Sequence, residues 1–169
     1  HWFQKLFRLI IKIILMIKIN VILNNISWKK YIKNPNIFLE KKINSINKKN
    51  KQYRNNSLIC TLLLAGTNEI RNLNKKFRKK NKSTDVLSFP FYSKIQLKKI
   101  IKKDSEIYLG DVIINLNKIK HKNDKKKFEF EFNKLWIHGL VHLFGYMHKK
   151  DKDYYVMQKI EKKYLKFLN

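Results

Sequence analysis

The stretch FNKLWIHGLVHLFGYMH, Phe132 to His148, constrains the fold of this chain more than any other. At about 100° per residue, Phe128, Phe132, Leu135, Trp136, Leu140 and Leu143 fall on one apolar arc. That spacing predicts a helix from about 128 to 144, laid against a sheet. His138 and His142 are four apart, so they stack one turn apart at the margin of the arc. Gly145 suits the left-handed conformation that ends a helix and reverses the chain, which brings His148 back toward the other two. Three imidazole nitrogens with one position left for water describe a catalytic zinc site; structural zinc sites are closed by a fourth protein ligand.

The H-x-x-x-H spacing is that of zinc proteases, but their general-base glutamate is replaced by Gly139. A glycine takes no proton, so peptide hydrolysis by that route is disfavoured. Zinc still lowers the pKa of a water to about 7. Phosphodiester chemistry then needs a group that neutralises charge on the phosphate, a task that suits the planar fork of an arginine.

The rest of the chain alternates strand and helix signals. IKINVIL (17–23), SLICTLLLA (57–65), STDVLSFP (83–90) and IYLGDVIIN (107–115) read as strands. Residues 34–50 have mixed helical spacing, and Thr67 is placed to cap a helix carrying Ile70, Leu73 and Phe77. Residues 94–106 read as an exposed connection. A last helix starts at Asp151 or Asp153, with Met157, Ile160, Tyr164 and Phe167 as its buried stripe. The expected class is α+β. We expect a single domain with a small mixed four-stranded sheet packed with about five helices, zincin-like in outline. The 169 residues fit one core.

We assign residues 16–169 to that domain and residues 1–15 to an upstream extension, with Met16 as the domain start. Lys5, Arg8, Lys12 and Lys18 interrupt the N-terminal apolar run, which is therefore a poor bilayer span. The second reading of 1–15 is a basic helix anchored on a membrane surface; otherwise no membrane association is expected. Cys60, the one cysteine, sits in an apolar strand and reads as a packed core thiol. A lone cysteine excludes internal disulfides and fits the cytoplasm.

The net charge is +27, from 39 Lys+Arg against 12 Asp+Glu. Such a field attracts RNA, DNA or an acidic membrane. The sequence is also saturated with Lys, Ile and Asn, the mark of an A+T-rich genome, so charge alone does not establish nucleic-acid binding.

Three blocks together resemble one family. HGLVHLFGYMH (138–148) is similar to the H-G-x-x-H-L-x-G-Y-D-H signature of the YbeY family, bacterial 16S rRNA maturation factors and single-strand endoribonucleases. STDVLSFPF (83–91) resembles the family's P-T-D-V-L-S-F-P strand, and YLGDVIIN (108–115) its L-G-D strand. The order and spacing agree over about residues 17–167. The resemblance implies one zinc ion on His138, His142 and His148. It also implies that Arg78, eight residues before Val86, contacts phosphate or stabilises the transition state. Without the family, Arg78 would read as a solvated charge among lysines. Two positions depart from the pattern: Met147 stands where the family has Asp, and Ser83 where it has Pro. Loss of the aspartate removes a turn-stabilising or ligand-orienting group and not a ligand.

The function so implied is a zinc-dependent, single-strand-specific endoribonuclease. It would act in 16S rRNA 3′-end maturation and ribosome quality control, with rRNA and the small ribosomal subunit as partners. Asp85 and Asp111 are the nearest carboxylates by motif, though each equally suits capping a turn or orienting a ligand. The alternative is a non-catalytic, RNA-binding ribosome-assembly factor whose histidine site is structural.

Overall fold

Four apolar runs pair into a sheet in the computed structural model, which describes residues 16–50, 56–148 and 151–168. The extension expected over 1–15 lies outside the described residues. The strands are β1 (Met16–Leu23), β2 (Ser57–Ala65), β3 (Val86–Pro90) and β4 (Glu106–Asn115). Their spatial order is β1-β2-β4-β3; β1, β2 and β4 run parallel, and β3 is antiparallel on the edge of β4. Pro90 closes β3, where its missing N–H costs the edge strand no inner ladder bond.

Five α-helices cover this sheet among the described residues: α1 (Pro35–Lys49), α2 (Thr67–Arg78), α3 (Lys94–Ile100), α4 (Lys125–Leu143) and α5 (Asp151–Phe167). The α+β class and the mixed four-stranded sheet are therefore as expected. On the inner face, Leu58, Leu62, Leu64, Ile107, Val112 and Ile114 share a core with Leu39, Phe128, Phe132, Trp136 and Met157. On the outer face α2 seals a smaller cluster of Ala65, Ile70, Leu87 and Ile113.

A bulge keeps β4 in phase with both faces. Pairing shifts between Ile59/Cys60 opposite Tyr108 and Gly110, leaving Leu109 as the extra residue. Ile107 and Leu109 face inward before the bulge; Val112 and Ile114 do so after it. Gly110 has φ +127°, and a Cβ there would lie 2.1 Å from the Phe89 carbonyl oxygen. Only glycine fits.

Three local expectations are corrected. Residues 94–106 are not simply a connection: Ser93 and Gln96 form a capping box that starts α3, and Leu97 is buried. Thr67 does not cap α2; Gly66 holds that position, and the Thr67 hydroxyl donates to Asn115 Oδ1 at 3.4 Å. β3 begins only at Val86, because Asp85 Oδ1 accepts from the Val86 N–H and the Thr84 hydroxyl in a turn.

Candidate metal centre

α4 lies across the inner face of β3 and β4 because its apolar arc demands burial and one residue lets it come close. Phe128, Phe132, Trp136, Ile137, Leu140, Val141 and Leu143 are buried. At Gly139 a Cβ would stand 2.4 Å from Val112 Cγ1, so the helix backbone rests directly on the Val112 side chain of β4. The position that carries the protease glutamate is thus occupied here by a packing requirement. The flanking His138 and His142 sit half-buried at the rim.

The chain then reverses. Gly145 adopts φ +82° and its N–H donates to the His142 carbonyl at 2.8 Å. A Cβ at Gly145 would lie 2.6 Å from the backbone of Lys94, so the turn also rests on the start of α3. The reversal brings His148 to ring-centroid distances of 5.6 Å from His138 and 5.0 Å from His142. One ring nitrogen from each of the three histidines lies within 4.8 Å of the others.

Two partners fix the tautomers. His138 Nδ1 lies 2.7 Å from Glu161 Oε1, and His142 Nδ1 lies 2.8 Å from the Tyr146 carbonyl oxygen. A carboxylate and a carbonyl only accept, so each Nδ1 carries the proton and each Nε2 is left bare. Those two Nε2 atoms face each other at 3.1 Å. Bare lone pairs at that distance repel, and a proton or a metal ion between them relieves the repulsion. Two ligand nitrogens on a tetrahedral zinc stand about 3.3 Å apart, so His138 and His142 are already spaced for one. The convergence of His148 as a third nitrogen favours the metal over the proton. His148 is exposed, and its ring nitrogen lies within 4.8 Å of the other two. Burial, with a smaller effect from His138, pulls the His142 pKa down to about 4, which keeps it neutral and able to ligate at neutral pH.

The other candidate residues lie elsewhere. Arg78, at the end of α2, donates from Nη2 to the Ser88 carbonyl on β3 at 2.8 Å, and its guanidinium sits 5.5 Å from the centre of the Phe89 ring. It is tied to the strand that packs against α4, and not to the histidines themselves. Asp85 caps the turn before β3. Asp111 lies on the outer face, accepting from the Tyr108 hydroxyl at 2.5 Å. Neither carboxylate is brought to the histidines. Met147 is exposed. Cys60 is buried in the inner core, and desolvation, with a smaller contribution from Asp111, pushes its thiol up to about 12, which makes it a packing residue. Glu161 and the Tyr146 carbonyl escaped sequence reasoning. The signal for Glu161 was present, since it is a carboxylate four residues after Met157, beside the buried stripe of a lysine-rich helix.

The chain is similar to known proteins over most of its length. The family model described as Endoribonuclease YbeY matches residues 23–169. An endoribonuclease YbeY of Pelagibacter ubique (strain HTCC1062) is 38% identical over 90% of this chain and 97% of its own. One of Ehrlichia canis (strain Jake) is 34% identical over 89% and 91%. The solution structure of TM1509 from Thermotoga maritima superposes with a TM-score of 0.54 at 24% identity, covering 89% of both chains, a likeness of fold.

Proposed function

This chain belongs to the YbeY endoribonuclease family, and from that premise we propose that it is a zinc-dependent endoribonuclease that cuts single-stranded RNA. The observation that carries the proposal is the convergence of His138, His142 and His148, with Glu161 and the Tyr146 carbonyl turning two bare Nε2 atoms toward one point. Three imidazole nitrogens suit zinc better than magnesium or calcium, which take oxygen donors. When bound, such an ion supplies Lewis acidity, lowering the pKa of a water to about 7 and polarising a phosphoryl oxygen.

The chain's own groups supply the rest. Glu161 holds the His138 ring in its ligating tautomer and orientation. Arg78 spends one N–H on the Ser88 carbonyl, which leaves the remainder of its five donors for phosphate oxygens at the edge of β3. RNA lying along that edge would have the histidine layer on one side and Arg78 on the other. We extend the proposal to 16S rRNA 3′-end maturation and ribosome quality control in the cytoplasm, with rRNA and the small ribosomal subunit as partners. The supports for this extension are the family and the +27 charge. No helix among the described residues is long and apolar enough to cross a membrane.

The test is metal content together with cleavage of a single-stranded RNA. The wild type should hold about one zinc and cut; His142→Ala should lose both. Arg78→Ala should keep the metal and lose roughly 10²–10³ in kcat. A zinc-replete wild type that holds no metal and leaves RNA intact would sink the proposal. A wild type that binds RNA and metal but cleaves nothing under any metal points to the non-catalytic assembly factor.

A further inference from the structure

The outer face of the sheet carries aromatic rings that α2 does not cover. Leu87, Phe89 and Phe91 alternate onto that face. Leu87 is sealed beneath α2, Phe89 is half-buried and Phe91 is 67% exposed. The bulge at Leu109–Gly110 turns Tyr108 to the same side as Asp111, in place of the usual two-residue alternation. Tyr108, 38% exposed, meets Phe91 edge-on with ring centroids 6.4 Å apart. Its ring is pinned, because its hydroxyl bonds both Asp111 at 2.5 Å and Thr61 at 2.9 Å. On the α2 side Phe77, 57% exposed, stands edge-on to Phe89 at 5.4 Å, and Arg78 lies over the Phe89 ring.

Charge decides what such a surface would hold. Lys75, Lys76, Lys79, Lys80 and Lys82 are all exposed around Arg78, and no acidic residue falls between Glu69 and Asp85. Exposed rings beside a cationic rim fit a strand whose phosphates lie on the rim and whose bases lie on the rings. A duplex keeps its bases stacked inside and cannot use the rings, so the partner is single-stranded. The Asp111 carboxylate on the sheet further confines the phosphates to the lysine side. The surface also reaches the arginine proposed for phosphate contact, because Arg78 touches both the β3 edge and Phe89.

We propose that the outer sheet face is a single-stranded RNA platform, on which bases flanking the scissile phosphate stack against Phe91 and Tyr108 while Lys75–Lys82 hold the backbone. It rests on the endoribonuclease reading only in naming that RNA as the substrate.

The test is binding of a fluorescent single-stranded 2′-O-methyl RNA, which resists cleavage, followed by anisotropy with the zinc-loaded protein. The comparison strand has the same backbone with abasic sites. The wild type should bind the base-bearing strand about tenfold or more tightly. Phe91→Ala and Tyr108→Ala should each lose about tenfold on that strand and little on the abasic one, and Phe91→Trp should retain it. Equal wild-type affinity for the two strands overturns the platform without relying on any variant. So does wild-type affinity in both alanine variants. The two readings also separate. A wild type that cleaves RNA yet ignores bases loses the platform and keeps the nuclease; one that prefers bases yet cleaves nothing does the reverse.

Discussion

Glu161 does for His138 what a backbone carbonyl does for His142: it accepts the Nδ1 proton and leaves Nε2 to ligate. A glutamine at 161 keeps the shape but accepts more weakly and brings no charge. Glu161→Gln should therefore weaken zinc binding about 10–100-fold, read by competition with a chromogenic chelator, without shifting the thermal midpoint of the metal-free protein downward. His142 predicts a pH dependence. Its folded pKa, near 4, lies below the unfolded value near 6.5, mainly because of burial. Between those values the unfolded chain binds more protons, so the metal-free protein should lose stability as pH falls through that window. The check is urea unfolding of chelator-treated protein, with a shallower dependence expected for His142→Leu. A slope unchanged in that variant would assign the effect to other groups.

At the scale of elements, the contact between α4 and β4 sets where the histidines stand. Gly139 permits that contact, with Val112 directly opposite. Gly139→Ala should cost roughly 1–3 kcal/mol by overpacking, measured by urea unfolding, and Val112→Ala in the same chain should restore part of it. Additive losses in the double variant would show that the two residues do not meet. The Gly110 bulge has a different consequence: it holds Ile107, Leu109, Val112 and Ile114 on the core side while turning Tyr108 and Asp111 outward together. α3 shows how a short element is overlooked. Its apolar content is low, but Ser93-x-x-Gln96 spells a capping box and was the available sign.

For the whole molecule, the +27 charge works in two directions. It attracts RNA by releasing counterions, and it destabilises the fold by self-repulsion. Raising salt from about 50 mM to about 300 mM should therefore weaken RNA binding steeply while raising the urea midpoint of the free protein. Anisotropy and denaturation in the same buffers check this. RNA affinity indifferent to salt would mean that the lysines around Arg78 do not touch the backbone.

The sequence by itself determined the alternation of strands and helices, the helix bearing His138 and His142, the return of His148 at Gly145 and the family blocks. These features follow from period and local conformation, which neighbouring residues settle among themselves. The tertiary structure decided that Glu161, nearly twenty residues beyond the histidine helix, is the group that orients His138. It also tied Arg78 to the edge of β3 and kept Asp85 and Asp111 away from the histidines. On the outer face it brought Phe77 against Phe89 and Phe91 against Tyr108. Each of those placements depends on strand order, on a one-residue bulge and on which helix covers which face. Contacts between distant segments of this kind leave no periodic trace in the chain.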